Sequence, residues 1–253
     1  MKAALKKPFL NLITFLGRRI ERRHFTEPPI YIGGCGRSGT TLLLSILSAH
    51  PKIFACPLEL SMFDDLVDGY KPARMDRLYR TFLTHRIKST TDRWCEKTPL
   101  NVNRLDAIDR FHDGLFRFIN IVRDGRDVIL SKHPSDPDRY WVAPERWIND
   151  VTAGKREEAR PQVMTIRYED LIEHQERTLE GICTFLNIEF PDAIRQWHQH
   201  TSVRKNRAYF GEVKPTHSSS AGKWKQPENQ ARAAELTAHP DAVELLEHYG
   251  YEI

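Results

Sequence analysis

A glycine-rich segment between two apolar runs constrains the fold of this chain more than any other feature. Residues 30–32 favour a β-strand, residues 33–41 read GGCGRSGTT, and residues 42–44 begin an apolar run of helical character. A strand, a glycine-rich turn and a helix N-terminus in this order present backbone N–H groups to an anion. The segment therefore predicts a phosphate-binding loop, and a glycine-rich turn without a ligand is the plainer alternative.

The residues inside this loop indicate which phosphate it suits. Gly34 and Gly39 keep the G-x-x-x-x-G spacing of nucleoside-triphosphate loops, and Thr41 keeps their hydroxyl. Thr40 stands where such loops carry the lysine that reaches the β- and γ-phosphates. Arg37 supplies a guanidinium inside the loop instead. The sequence therefore predicts a phosphate ligand other than the far end of a triphosphate.

Strand-like and helix-like patterns alternate along the rest of the chain. The strand-like runs cover residues 52–56, 94–99, 116–122 and 163–168. Helical patterns cover most of residues 61–92 and residues 147–158, 171–186 and 230–248, and a proline-rich loop is expected over 133–146. This alternation predicts an α/β fold, a P-loop NTPase-like three-layer sandwich with a parallel central sheet flanked by helices. Ligands of such sheets bind at the carboxyl ends of the strands, where Gly34, Lys97 and Arg123 should converge.

Composition and charge narrow the class of protein. The 253 residues suffice for one α/β domain with a substantial core, and 40% hydrophobic residues are ordinary for a soluble globular protein. A net charge of +4 fits an anionic ligand but is too small to indicate nucleic acid, so no nucleic-acid partner is expected. The four cysteines lack metal-ligand spacing and read as reduced thiols of a cytoplasmic protein.

Residues 1–28 differ from the remainder, and the proline pair at 28–29 marks the start of a domain predicted over residues 29–253. Apolar residues recur there at helical spacing between lysines and arginines. The apolar run is shorter than the roughly 20 residues that cross a bilayer. Two interpretations stay open: a helix packed on the domain, or a basic amphipathic helix whose residues 6–23 contact the inner membrane surface peripherally.

A second anion-binding motif follows the strand predicted over 116–122. Arg123 lies at the expected carboxyl end of that strand, and Ser131, eight residues later, is predicted on the following helix. An arginine fork and a hydroxyl placed in this way can hold a second phosphate. Taken alone, the RDGRD sequence of residues 123–127 is more simply a surface turn with local ion pairs.

Together, the two motifs resemble those of sulfotransferases that use 3′-phosphoadenosine 5′-phosphosulfate (PAPS), most closely the tyrosylprotein sulfotransferase branch and its bacterial relatives. This resemblance implies two separate anion sites, because the donor carries a 5′ phosphosulfate and a 3′ phosphate. Residues 167–171 (RYEDL) resemble the tyrosine-bearing strand end of the family. Lys214-Pro215 followed by Lys223-Trp224 resembles its cofactor-closing loop, so the resemblance covers about residues 29–225.

The resemblance implies a role for each matching residue. The 5′ phosphosulfate would be held by the loop residues Gly36, Arg37, Ser38, Gly39, Thr40 and Thr41. The 3′ phosphate would be held by Arg123 and Ser131, and the cofactor pocket would be completed by Tyr168, Lys223 and Trp224. Lys97 and Arg37 would stabilise the transferring sulfuryl group, and Glu59 resembles the catalytic base.

The implied reaction is transfer of the sulfuryl group from PAPS to a hydroxyl acceptor without a metal, which leaves adenosine 3′,5′-bisphosphate (PAP). A carboxylate within hydrogen-bond reach can take the proton of the acceptor, which is the task predicted for Glu59. His50 is the alternative base. Glu59 lies one residue further from the loop than in the tyrosylprotein branch, and Ala208 stands where that branch has a serine.

These departures leave the acceptor open: a sugar, a lipid, a tyrosine or a small alcohol. The oligomeric state is open as well. The sequence allows two other functions, a P-loop kinase of a nucleotide or small molecule and a nucleotide-binding protein without turnover. Thr40 in the position of the P-loop lysine argues against the kinase, and the presence of Lys97 and Glu59 argues against a protein that only binds.

Overall fold

The computed structural model describes residues 2–133, 135–203 and 221–253, with side chains from residue 9 onward. Within these residues the strands are β1 (Ile30–Gly33), β2 (Ile53–Ala55), β3 (Leu66–Val67), β4 (Lys71–Pro72), β5 (Arg93–Lys97), β6 (Arg117–Val122), β7 (Lys132–His133), β8 (Asp136–Tyr140) and β9 (Val163–Arg167). Five of them form a central parallel sheet in the order β2-β5-β1-β6-β9. The other four form two small antiparallel hairpins, β3-β4 and β7-β8.

Helices connect the strands of the central sheet. In the described residues they are α1 (Lys2–His24), α2 (Thr40–Leu47), α3 (Met75–Thr84), α4 (Leu105–His112), α5 (Gly125–Ile129), α6 (Pro144–Arg156), α7 (Tyr168–Glu173), α8 (Gln175–Phe185), α9 (Asp192–Arg195), α10 (Trp197–His200), α11 (Pro227–Thr237) and α12 (Pro240–His248). Short 3₁₀ helices span Pro99–Arg104 and Lys223–Lys225. Among the described helices, none combines the length and the apolarity needed to cross a bilayer.

Side chains alternate between the two faces of the sheet and divide the hydrophobic core into two layers. In β1, Ile30 and Ile32 pack with apolar residues of α2, α7 and α8. Tyr31, between them, packs on the opposite face with residues of α1, α3 and α4. Helices therefore cover both faces, as a parallel sheet requires. The predicted three-layer α/β sandwich with a parallel central sheet is confirmed.

Three stretches differ from the sequence prediction. Residues 61–92, predicted as mostly helical, contain the β3-β4 hairpin and only one helix, α3. Residues 133–146, predicted as a loop, contribute to the β7-β8 hairpin, in which Lys132 pairs with Tyr140. The helix predicted over 230–248 is two helices, α11 and α12, because Pro240 lacks the N–H that would continue the first one.

The turn after β1 requires a glycine at its first position. Gly34 has φ +135°, which L side chains rarely adopt, and a Cβ there would lie 2.3 Å from the backbone oxygen of Ile121 in β6. The chain therefore leaves β1 in close contact with the neighbouring strand. This contact fixes where the glycine-rich loop begins relative to the carboxyl end of β6.

We predict that Gly34→Ala lowers the free energy of unfolding by about 3 kcal/mol or more, because it adds a steric clash with backbone to an unfavourable φ. Gly69→Ala is the matched control, since Gly69 also has a positive φ (+76°) but open space around its Cβ position. That control should lose only about 1–2 kcal/mol. Urea unfolding followed by circular dichroism measures both, and equal losses would contradict the clash.

Candidate active site

A cavity of about 280 Å³ lies where β1, β5 and β6 end. Its lining comes from six parts of the chain: the glycine-rich loop with the start of α2, the segment after β2, the turn after β5, the residue after β6, the segment from the end of β8 into α6, and the residue after β9. The lining residues are Gly36, Arg37, Gly39, Thr40, Thr41, Glu59, Ser61, Thr98, Pro99, Leu100, Arg123, Trp141, Arg146 and Tyr168. The cavity therefore joins most of the residues predicted for the two anion sites and for catalysis.

The glycine-rich loop wraps into α2 through two residues of positive φ, Arg37 (+72°) and Gly39 (+95°). A Cβ on Gly39 would lie 2.5 Å from the Tyr168 ring, so only glycine allows the loop to pack this closely. The first N–H groups of a helix have no intrahelical acceptor and attract anions. Gly39, Thr40 and Thr41 place these groups of α2 at the cavity.

Ser38 supports an anion-binding interpretation of the loop independently. Its side chain is fully buried, and its Oγ has no hydrogen-bond partner among the described residues. A buried hydroxyl without a partner is costly in a folded protein. The residues present therefore fit a phosphate or sulfate group, whose oxygens would accept from this hydroxyl and from the N–H groups at the start of α2.

Lys97 and Glu59 form an ion pair at this end of the sheet. Lys97 is the last residue of β5 and is fully buried, and its Nζ donates a hydrogen bond to Oε1 of Glu59. The Glu59 side chain is 40% exposed and lines the cavity. A lysine ammonium has three N–H donors, so contact with Glu59 leaves others for a further oxygen. Two of the three residues predicted for catalysis, Lys97 and Glu59, are therefore in direct contact.

Glu96 holds the segment that carries Glu59, a role the sequence analysis did not predict. Its fully buried carboxylate accepts from the Leu60 N–H (3.0 Å), the Thr98 hydroxyl (2.6 Å) and the Asn101 amide (2.8 Å). Burial raises the pKa of Glu96, and these three hydrogen bonds act in the opposite direction. The sequence contains one indication of this role. Glu96 is a charged residue within a run predicted as a strand, and charged residues are rarely buried without partners.

Arg123 links the glycine-rich loop to the strand end after β9. Its Nη1 donates to the Arg37 carbonyl at 3.1 Å, and its guanidinium lies 4.7 Å from the centre of the Tyr168 ring. Asp127 is 3.9 Å from the same guanidinium. The two predicted anion sites are therefore neighbours on one wall of the cavity, connected through the backbone of Arg37.

Two lining residues that the sequence analysis did not single out are Trp141 and Arg146. Arg146 Nη2 and Trp141 Nε1 would lie 3.4 Å and 3.6 Å from a Cβ on Gly36, so both sit directly over the loop. Arg146 is 3.6 Å from the buried carboxylate of Asp150, which also accepts from Asn103 at 2.7 Å. No local pattern could identify these residues, since their position depends on how α6 packs beside the loop.

Ser131 does not lie on the helix after Arg123, as predicted, because α5 ends at Ile129. The chain turns at Leu130 and enters the β7-β8 hairpin, and the Ser131 carbonyl accepts from the Trp141 N–H at 2.8 Å. Ser131 is not among the residues that line the cavity in the described part of the chain. Ser131 therefore lies directly before the β7-β8 hairpin, and Trp141 lies directly after it.

Lys223 and Trp224 lie beyond the described lining of the cavity as well. Lys223 is exposed, and the Trp224 ring stacks on the guanidinium of Arg126 at 3.5 Å. Asp127 accepts hydrogen bonds from the N–H groups of Gly222 (2.7 Å) and Trp224 (3.0 Å), which ties this segment to α5. Lys214-Pro215 and Ala208 lie outside the described residues.

His50, the alternative base, lies away from the described cavity lining. Its Nδ1 accepts from the Lys52 N–H at 3.1 Å, and its Nε2 donates to the Glu189 carbonyl at 3.1 Å. Burial lowers the pKa of His50. Both ring nitrogens are therefore occupied by backbone groups, which leaves Glu59 as the base candidate that the cavity presents.

A larger open groove of about 710 Å³ runs along the outer edge of β9. Its lining includes Arg167, His174 and Arg177 but none of the residues predicted for the anion sites or for catalysis. We therefore assign the chemistry to the smaller cavity. Among the described residues, no group of three or more His, Cys, Asp or Glu side chains is arranged to hold a metal ion.

This combination of fold, anion loop and paired charged residues defines a group transferase of the P-loop architecture. The sulfotransferase family model matches residues 28–192, which is more than half of the chain. The chain belongs to the sulfotransferase family. The predicted family and enzyme class, a transferase of sulfo groups, are confirmed, and the kinase alternative is not favoured.

Similar proteins share part of this sequence. The protein-tyrosine sulfotransferase of Drosophila melanogaster is 25% identical over 239 residues, covering 78% of this chain and 47% of that protein. Protein-tyrosine sulfotransferase 1 of Danio rerio is 25% identical over 234 residues, covering 78% of this chain and 65% of that protein. The chain thus spans about half to two thirds of the length of these relatives.

Solved sulfotransferase structures share the fold. The sulfotransferase domain from the curacin biosynthetic pathway matches with a TM-score of 0.62 at 18% identity, covering 90% of this chain and 99% of that domain. Mouse sulfotransferase SULT7A1 complexed with PAP matches with a TM-score of 0.56 at 16% identity, covering 92% of this chain and 93% of that one. These likenesses agree with the three-layer architecture described above.

We predict that Glu96 contributes more to the stability of the domain than Glu59 does. Glu96→Ala should lower the free energy of unfolding by about 2–4 kcal/mol, because it leaves buried donors without an acceptor. Glu96→Gln, which keeps one carbonyl oxygen for these donors, should lose about 1 kcal/mol. Glu59→Gln should lose about 1–2 kcal/mol, because it still offers an acceptor to Lys97 but removes the charge paired with a buried ammonium. Urea unfolding of the three variants gives this ranking, and a Glu96→Ala protein as stable as wild type would refute it.

Proposed function

We propose that the chain transfers the sulfuryl group of PAPS to a hydroxyl acceptor and releases PAP. One observation carries the proposal: the Lys97–Glu59 pair lies beside an anion loop that has Thr40 at the position of the P-loop lysine and a guanidinium, Arg37, inside the loop. Arg123, which donates to the Arg37 carbonyl, is proposed to supply a second anion position beside the loop. Mouse sulfotransferase SULT7A1, solved in complex with PAP, supports the same donor chemistry.

The glycine-rich loop is proposed to hold the 5′ end of the donor through Gly36, Arg37, Ser38, Gly39, Thr40 and Thr41. When bound, PAPS supplies a sulfuryl group activated by its link to a phosphate oxygen. Arg123, stacked on Tyr168, is proposed to hold the 3′ phosphate, since a guanidinium binds phosphate through two parallel N–H groups. The roles of Ser131, Lys223 and Trp224 rest on the sequence resemblance, because their side chains do not line the described cavity.

Arg37, Lys97 and the start of α2 are proposed to stabilise negative charge that develops during transfer. Lys97 is fully buried, and a fixed charge away from water interacts more strongly than one in solvent. Cations held in place before the reaction need no reorganisation when charge appears. Arg37, Lys97 and the start of α2 provide the positive charge themselves, and no metal is proposed.

Glu59 is proposed to accept the proton of the acceptor hydroxyl at a carboxylate oxygen. Its side chain is partly exposed at the cavity, so an acceptor can reach it, and contact with Lys97 fixes its orientation. A positioned carboxylate contributes roughly 10²–10⁴-fold to such a step. Relatives named protein-tyrosine sulfotransferases support a tyrosine hydroxyl as the first acceptor to test, with sugars, lipids and small alcohols next.

A cytoplasmic location is part of the proposal. The four cysteines, at positions 35, 56, 95 and 183, are all free and buried in the structure. Proteins of oxidising compartments commonly use cysteines in disulfides, whereas cytoplasmic proteins keep them reduced. Fluorescence microscopy of the tagged full chain, with cell fractionation, tests this location.

We predict that PAP binds at least about tenfold more tightly than 5′-AMP, because Arg123 adds a charge-assisted contact to the 3′ phosphate. Arg123→Ala should weaken PAP binding about tenfold or more and change 5′-AMP binding much less. Arg110→Ala, an exposed arginine of α4 that stacks on Tyr70, is the control of equal charge and should leave both affinities unchanged. Isothermal titration calorimetry that gives equal affinities for the two nucleotides in the wild-type chain would rule out a dedicated 3′ phosphate site.

We predict that Glu59→Gln lowers turnover by roughly 10²–10⁴ and leaves PAP affinity nearly unchanged, because it removes the base and not the anion sites. Lys97→Met should also lower turnover, through loss of charge next to the transferred group. A phenol acidic enough to be ionised at the assay pH needs no base, so it should restore the Glu59 variant and not the Lys97 variant.

The surface pair Lys155–Glu244 provides the matched control for this experiment. Its ion pair joins α6 to α12 away from the described cavity lining, so Glu244→Gln and Lys155→Met should both keep wild-type turnover. Product formation is measured by mass spectrometry with labelled donor. Near-normal turnover of Glu59→Gln on an un-ionised hydroxyl acceptor would show that Glu59 is not the base.

A further inference from the structure

Helix α1 is attached to the domain by one face only. Ile13 is buried in the core layer that contains α3, and a Cβ on Gly17 would lie 2.3 Å from Tyr79 Cβ, so the two helices touch closely there. Glu21 accepts hydrogen bonds from the Trp94 indole N–H and the Tyr79 hydroxyl, each at 3.3 Å. These contacts fix the rotation of α1 about its axis, and therefore which side chains face outward.

Within residues 9–24, where side chains are described, the outward face of α1 has an apolar half, residues 9–16, and a basic half, residues 18–23. Large apolar side chains are exposed along the apolar half: Phe9 (56%), Leu12 (54%), Phe15 (64%) and Leu16 (38%). Arginines are exposed along the basic half, at positions 18, 19, 22 and 23. An exposed cluster of four large apolar residues on one helix face indicates an interaction surface.

The two halves are aligned along the helix. Leu12 precedes Arg19 by seven residues, Phe15 precedes Arg22 by seven, and Leu16 precedes Arg23 by seven. Residues seven apart lie on the same side of an α-helix, separated by about 10 Å along its axis. Three of the four exposed apolar side chains are thus followed, two turns later on the same side, by a guanidinium, and Phe9 is followed by Leu16.

From this arrangement we infer that α1 docks the domain on an anionic membrane surface. The apolar half of the outward face inserts at the boundary between headgroups and acyl chains, and the arginines bind the lipid phosphates. Amphipathic helices with aromatic and leucine side chains beside arginines bind in this way. The inference concerns a different face of the chain from the cavity and does not rest on the proposed reaction.

The arginines of α1 favour a lipid surface over a second copy of the chain as the partner of its outward face. Among the described residues, no ion pair within 4 Å joins Arg19, Arg22 or Arg23 to a carboxylate. Glu21, the single acidic residue of α1, interacts with Arg18 and Arg22 through its charge, while its carboxylate accepts hydrogen bonds from Trp94 and Tyr79 on the inner side. A parallel pair of α1 helices would bring arginines together, and an antiparallel pair would bury them against apolar side chains without counterions. Both arrangements are unfavourable, whereas anionic lipids supply the missing negative charge.

The test is co-sedimentation of the full chain with vesicles of phosphatidylcholine, with and without phosphatidylglycerol. We expect binding only to the anionic vesicles and weaker binding at high salt. Arg19→Glu combined with Arg22→Glu, and Leu12→Ser combined with Phe15→Ser, should each reduce the fraction bound about tenfold or more. These positions are exposed, so turnover of a soluble acceptor and thermal unfolding should stay at wild-type values.

Matched control variants make the same kinds of substitution elsewhere on the surface. Arg110→Glu and Leu115→Ser change an exposed arginine and an exposed leucine near the C-terminal end of α4, and should leave vesicle binding unchanged. Equal binding to neutral and anionic vesicles, or no loss in the α1 variants, would overturn the inference. Light scattering that shows a concentration-dependent dimer abolished by the Leu12 and Phe15 substitutions would overturn it in favour of a second copy.

Discussion

The buried carboxylate of Glu96 ties three parts of the chain to the end of the central strand β5. It receives the Leu60 N–H from the segment after β2, the Thr98 hydroxyl from the turn after β5, and the Asn101 amide from the 3₁₀ helix that follows. Thr98 in turn accepts from the Ser61 N–H at 3.1 Å. Because Glu59 and Lys97 are the neighbours of these groups in sequence, the contact between a cavity-lining carboxylate and a buried ammonium depends on a carboxylate that takes no part in the chemistry.

The cations around the cavity share one property, which is that each is held by a group within the protein. Arg123 stacks on Tyr168 and donates to the Arg37 carbonyl, Arg146 lies beside Asp150, and Lys97 contacts Glu59. Partners of this kind restrict rotamers before a ligand arrives, so less conformational entropy is lost on binding. The glycine-rich loop is fixed in the same way, by the close approach of Gly34 to Ile121 and of Gly39 to Tyr168. The walls of the site belong largely to neighbouring strand ends of the central sheet.

The sequence was sufficient to predict the features that depend on local patterns. The spacing of Gly34 and Gly39 and the apolar runs around β1 and β6 predicted the loop, the parallel sheet and the position of Arg123. Features that depend on packing were not predictable. Ser131 was placed on a helix because apolar spacing continues past Ile129, whereas the chain turns there into the β7-β8 hairpin. Glu96 lies in a run predicted as a strand, and its partners lie up to 36 residues away in sequence. Arg146 reaches the loop only because α6 packs beside it.

The ion pair between Lys97 and Glu59 has a consequence for the order of events in the cavity. While Glu59 is ionised, its negative charge offsets that of the ammonium it contacts, and the pair is close to electrically neutral as seen from the cavity. Arrival of a proton on Glu59 removes that offset, and the full positive charge of Lys97 then acts on whatever anion is nearby. Under the proposed reaction, the electrostatic effect of Lys97 on the transferred group is therefore greatest once the acceptor has given its proton to Glu59 and weakest before. The proposed roles thus make the arrival of an acceptor the event that strengthens the field at the site.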